Sequence, residues 1–152
     1  MNKEKGQPII SDPVRWCLAG ILVFAAVGHL QNPHLVLNDV LNYRIVSGRV
    51  AVWVAMLLPF CELALAAILC ARVPPTVGFG MATVLFGVFA ASQWIAWFRE
   101  LPIDCGCFGG FVRRQIGPAS LVLVNAMFLV SVVGAITGCI ISNREKVVRG
   151  YH

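Results

Sequence analysis

Two thiols one glycine apart form the most reactive grouping in this chain. The stretch from Pro102 to Gly110 reads PIDCGCFGG, with Cys105 and Cys107 flanking Gly106. Their α-carbons can stand about 5.5–7 Å apart, which overlaps the span a disulfide requires. A ring that small carries strain, and strain raises the reduction potential, which makes the bond a ready donor of oxidising equivalents. Gly106 supplies the backbone freedom that closure needs. Arg99, Arg113 and Arg114 lie near in sequence and favour a thiolate, whereas the adjacent Asp104 opposes it. Three chemistries compete. A metal site wants four ligands, or three and a water, and this loop offers two thiols, one carboxylate and no histidine. A structural disulfide suits an oxidising compartment, yet bridging such near neighbours removes little unfolded-state entropy. A redox-active dithiol, the working group of a thiol–disulfide oxidoreductase, fits the spacing best.

Other candidate groups sit inside apolar runs. Glu62 follows Cys61 and lies three residues after Pro59. A carboxyl at the centre of a spanning helix costs about 2.5–3.5 kcal/mol on insertion scales and faces the interior of a bundle. It is a candidate proton relay or holder of a quinone headgroup. The structural alternative is a neutral carboxyl bridging helices, with Gln93 and Asn125 as the expected partners. His29 is expected at the outer end of the first span, either as an acid–base group for thiol exchange or as an ordinary interfacial histidine. Trp94 and Trp97, with Phe98, read as an aromatic belt, and quinone stacking is their second reading. Cys17, Cys61, Cys70 and Cys139 fall within apolar segments, where a lone cysteine is expected to behave as a small buried hydrophobe.

The elements that must position these groups are membrane spans. Of 152 residues, 59% are hydrophobic and only 12% charged, and the mean hydropathy is +0.80. Soluble domains hold about 45–50% apolar and about 25% charged residues, so an integral membrane protein follows. Four spans are predicted, at about 14–30, 50–71, 76–98 and 118–142. Each is long enough to cross a hydrocarbon layer of about 30 Å. None alternates apolar with polar residues, so a barrel is excluded in favour of an all-α, four-helix polytopic bundle. The domain is expected over 14–142, with an N-terminal tail at 1–13, an uncleaved anchor thereafter, and a polar, frayed tail at 143–152. Between the first two spans, Leu37, Val40, Leu41 and Ile45 recur at helical spacing, which suggests a short interfacial helix. Pro74 and Pro75 end one span and open the next, so the second and third spans are expected to be antiparallel neighbours.

With an even number of spans, both termini share a side. Lys3, Lys5, Arg15, Arg72, Arg144, Lys146 and Arg149 lie on it, against Arg44, Arg49, Arg99, Arg113 and Arg114 on the other. Seven against five favours both termini in the cytoplasm, which turns Cys105 and Cys107 outward. The +5 net charge is spread over both faces, which suits lipid headgroups and not nucleic acid.

IDCGCFGG, followed by a Gly-Pro and a last apolar span, resembles the methylamine-utilisation MauE family, which is grouped with DoxX-like redox-associated membrane proteins. NYRIV after the first span and LLPFCELALA in the second are similar to that family's Tyr-Arg-aliphatic and Leu-Pro-x-x-Glu stretches. The resemblance covers about Val14 to Ser142, with His29 standing where a lysine is expected. It implies four helices and a link to thiol–disulfide chemistry. It also implies a thioredoxin-like periplasmic partner in the maturation of a disulfide-rich methylamine dehydrogenase subunit. The expected function is disulfide exchange through Cys105 and Cys107 with such a partner or a secreted client. A membrane quinone is the one cofactor considered, held by Glu62, Trp94 and Trp97. The alternative is a non-catalytic small subunit of a larger membrane complex, in which Cys105 and Cys107 form a staple or docking element.

Overall fold

The computed structural model describes residues 11–71, 73–101 and 117–150. Cys105, Gly106 and Cys107 lie outside the described residues, as do Asp104, Arg113 and Arg114. Five helices run along the chain: α1 (Ser11–Gln31), α2 (Pro33–Asn42), α3 (Gly48–Cys70), α4 (Pro75–Phe98) and α5 (Pro118–Gly150). Among the described residues there is no strand. Four helices are long and apolar enough to span a membrane, over Pro13–Gln31, Gly48–Cys70, Thr76–Phe98 and Pro118–Arg144. The chain is an all-α polytopic membrane protein. Its spans fall within a few residues of those expected.

Two differences concern the ends of elements. Helix α5 continues through the polar tail to Gly150. Its 33 residues reach roughly 50 Å at about 1.5 Å per residue, so its last turns stand beyond the hydrocarbon layer. Helix α2 begins earlier than the apolar spacing suggested, because Pro33 follows Asn32 at the first helical position, where a missing N–H costs nothing. Its buried residues are Val36 and Asp39, while Leu41 and Ile45 point outward, as suits apolar side chains at a lipid interface.

Helices α1 and α3 pack closely, as do α4 and α5. The core joins the two pairs through Leu18 and Leu22 on α1, Leu65 and Leu69 on α3, and Phe79 and Phe86 on α4. The α4–α5 seam rests on size complementarity. A β-carbon at Gly134 would stand 2.5 Å from the Phe79 ring, and one at Gly87 would stand 3.2 Å from the Phe128 ring. Each ring fills a notch that a glycine leaves in the facing helix, the usual way helices approach closely without a hydrophobic drive from water. Helices α3 and α4 are neighbours, as the Pro74–Pro75 turn suggested, but their contact is sparse. It is close near that turn, where Gly78 lies against Leu69. Pro59 sits inside α3 without ending it.

Arg15 was expected among the charges facing headgroups. Instead it is buried. Its Nε donates to the Leu69 carbonyl at 2.9 Å and a terminal nitrogen donates to the Ala71 carbonyl at 2.6 Å. The last carbonyls of a helix have no intrahelical partner and carry the negative end of its dipole, so a guanidinium there satisfies both needs. The four span cysteines also differ from expectation. Cys17, Cys61, Cys70 and Cys139 are free thiols exposed on the helix surfaces. In lipid an outward apolar position is no worse than an inward one for a small hydrophobe.

Candidate functional site

Helix α4 stops in a defined way just before the thiol segment. Glu100 adopts φ 51°, its N–H bonds the Trp97 carbonyl at 3.0 Å, and the Leu101 N–H bonds the Ala96 carbonyl at 3.1 Å. These are the two bonds of a Schellman cap with a left-handed residue after the last helical turn. A second left-handed residue, Arg44 at φ 51°, follows α2, with its N–H on the Leu41 carbonyl at 3.0 Å. The Arg99 side chain reaches the Arg44 carbonyl at 3.5 Å, so the two turns stand together. At the start of α5, the Ser120 hydroxyl and the Gly117 backbone bond each other within 3.0 Å. The segment that carries Cys105 and Cys107 therefore leaves from one capped helix end and returns to another.

His29 and Glu62 meet inside the bundle. His29 Nδ1 lies 2.9 Å from Glu62 Oε2, and the side chains are 2% and 0% exposed. Whichever partner carries it, one proton lies between them. Glu62 is 14 residues past Gly48, roughly 21 Å along α3 at about 1.5 Å per residue. His29, only two residues from the end of α1, reaches that depth because α1 ends below the top of α3 and α2 covers the remainder. The histidine is thus a buried partner and not a surface one. Glu62 bonds His29 and neither of its expected partners. Asn125 instead accepts from the Trp94 indole at 3.3 Å and donates to the Leu121 carbonyl at 2.7 Å. Gln93 is fully buried. The second carboxylate oxygen, Glu62 Oε1, is buried without a hydrogen-bond partner. Glu62 also lines a void of about 10 Å³ whose other lining residues are apolar, among them Phe86, Phe89 and Met127. A buried water needs at least that space and two to four polar partners, so the void suits none.

On the other side, His29 forms part of the wall of a cleft of about 430 Å³ between α2, α3 and α4. Asp39 from α2 and Tyr43 just after that helix line it, with Leu58 and Cys61 from α3, and Val88 and Ser92 from α4. Trp94 and Trp97 do not line it. Trp94 stacks on Phe98 at 5.6 Å, and both tryptophans are exposed near the end of α4, the arrangement of an aromatic belt. Among the described residues, no three His, Cys, Asp or Glu side chains converge to hold a metal ion.

Sequence reasoning singled out His29 and Glu62 but did not pair them. It also missed Arg15 as a structural group and Asp39 as part of the cleft wall. For Asp39 there was a signal, a lone carboxylate on the apolar face of a short helix.

The comparisons with known proteins agree with one another. The family model described as "Methylamine utilisation protein MauE" matches residues 7–138. The methylamine utilization protein MauE of Paracoccus versutus is 32% identical over 136 residues, covering 89% of this chain and 73% of that protein. Its counterpart in Paracoccus denitrificans is 32% identical over 136 residues, covering 87% of this chain and 71% of that one. No solved structure matches the chain significantly. With nearly the whole four-helix region matched, this chain belongs to the MauE family.

Proposed function

We propose that the chain serves methylamine utilisation as a membrane thiol–disulfide exchange protein. Cys105 and Cys107 are its working pair, on the outer face of a bacterial inner membrane, with both termini in the cytoplasm. A thiolate of a thioredoxin-like partner or a secreted client attacks the Cys105–Cys107 disulfide. One S–S bond forms as another breaks, and one cysteine of the pair leaves as a thiolate. The client's second thiolate then resolves the mixed disulfide, so two electrons and two protons pass from the client to the pair and the client is oxidised. Exchange of the reduced pair with the disulfide of an oxidised partner recharges it. The supporting observation is the capping of the two helix ends that flank the thiol segment, at Leu101 and at Gly117. A ring closed over so few residues carries strain, and a strained disulfide exchanges.

The test is the reduction potential of the pair in purified protein, read by thiol alkylation across a glutathione series. A value of about −120 to −200 mV is expected of a shuttle, and one below about −300 mV marks a stable structural bond. In the second case the reading becomes a non-catalytic subunit. One observation favours that alternative: α5 is buried over only 17% of its spanning window, and Val122, Leu129 and Val133 face outward, a surface open to lipid or to a neighbouring helix. A Cys107→Ser variant should abolish client oxidation under the exchange reading and leave it intact under the subunit reading.

A further inference from the structure

We infer that the protein holds one anionic phospholipid, with an acyl chain in the cleft between α2, α3 and α4 and its phosphate at the start of α3. The wall of the cleft is almost wholly apolar. From Met81 to Ser92 it follows 11 residues of α4, roughly 16 Å at about 1.5 Å per residue and close to half of a hydrocarbon layer of about 30 Å. Val54, Met81, Val84 and Val88 line it and are exposed on the helix surfaces, so it opens sideways to lipid. Asp39 and Tyr43 in its wall already hold partners, and Ser92 bonds the Val88 carbonyl. A groove one leaflet deep, with its few polar groups satisfied, suits a hydrocarbon chain.

The anion's place lies outside the cleft, at its edge. Tyr43, Ile45 and Val46 bring the turn after α2 to that edge, and α3 begins just beyond it at Gly48. The Ser47 side chain makes no capping bond there. The Ala51 N–H bonds the Ser47 carbonyl at 2.9 Å, which leaves the N–H groups of Gly48, Arg49 and Val50 without a partner inside the helix. Gly48 is exposed, with open space where a β-carbon would stand, so an oxygen can approach the backbone. Such a helix start favours an anion, yet the first turn of α3 holds Arg49 and no acidic residue. Arg44 in the preceding turn and Arg99 after α4 add two more exposed guanidinium groups, and Arg99 donates to the Arg44 carbonyl at 3.5 Å. Among the described residues none of the three forms an ion pair, and Glu100 is the exposed carboxylate at this end. Arginine pairs well with phosphate oxygens, and basic groups at the membrane surface attract anionic lipids. A phospholipid of net negative charge supplies both the phosphate and the chain, whereas a zwitterionic one brings a cation that the arginines repel. The inference does not depend on the exchange reading above.

The experiment is native mass spectrometry of the detergent-purified chain, titrated with dioleoyl phosphatidylglycerol or with dioleoyl phosphatidylcholine. One phosphatidylglycerol per chain is expected, held about tenfold or more tighter than phosphatidylcholine. Inorganic phosphate should not displace it, because the chain in the groove contributes to binding. Ser47→Asp puts a carboxylate on the free N–H groups and should weaken phosphatidylglycerol by about tenfold without lowering stability, since aspartate is a good N-cap. Arg49→Gln and Arg99→Gln should each weaken it by about fivefold. Val88→Trp fills the groove and should weaken both lipids alike. Equal retention of the two lipids, a run of equally weak lipids with no tight first one, displacement by inorganic phosphate, or undiminished binding in folded Ser47→Asp or Val88→Trp protein would overturn the site.

Discussion

Along its seam with α5, helix α4 seats Phe79 in the notch left by Gly134, whereas along its seam with α3 it leaves a cleft of about 430 Å³. Chain connectivity would suggest the reverse. Only a few residues join α3 to α4, and the longest connection in the chain joins α4 to α5. The difference lies in the facing side chains. Glycine opposite phenylalanine lets two backbones close on each other, and it does so twice, at Gly134 and at Gly87. On the α3 side, Gly78 meets Leu69 next to the turn, but further along branched residues such as Leu58, Val84 and Val88 face one another, and α2 enters the gap. Steric fit, not loop length, decides which seam is closed.

The contrast can be broken most strongly at the polar clasp beside the open seam. His29→Leu leaves Glu62 buried without its partner, which should destabilise the protein by about 3–5 kcal/mol, measured by denaturant titration in mixed micelles. The double variant His29→Leu/Glu62→Leu should recover most of that loss, because an apolar pair carries no desolvation cost. Equal losses in single and double variants would mean that the pair is not a coupled unit.

A smaller effect is expected at the closed seam. Gly134→Ala forces a methyl group against Phe79 and should cost about 1–3 kcal/mol, against a gain of no more than about 1 kcal/mol in helix propensity. Phe79→Leu in the same chain should restore part of the stability, a non-additivity that identifies direct contact. The smallest effect belongs to the open seam. Val84→Phe adds bulk where the side chain is 69% exposed and borders the cleft, so stability should change by less than about 0.5 kcal/mol in the same titration. If Gly134→Ala and Val84→Phe cost the same, the distinction between the seams fails.

Much of this protein was legible from its residues. Long apolar runs marked four spans, because a helix must be about 20 residues long to cross the bilayer and must satisfy its backbone internally. Pro74 and Pro75 marked a tight turn, and IDCGCFGG pointed to the family. Glu62 and His29 stood out individually because ionisable groups in apolar runs are costly. Their pairing could not be read, since each lies on a helix that is apolar on all sides and gives no stripe to tell which face turns inward.

That is the physical division between the two sources. In water, apolar faces must be buried, so periodicity announces the core; in lipid, Val or Leu is as stable outside as inside, and periodicity is silent about facing. The number and order of the spanning helices, and the position of the two close cysteines between the third and fourth spans, were therefore determined by sequence alone. Arg15 on the α3 carbonyls, His29 on Glu62, the glycine notches of the α4–α5 seam and the cleft under α2 were decided only in the tertiary structure, where close packing and hydrogen-bond satisfaction select among faces that hydropathy leaves equivalent.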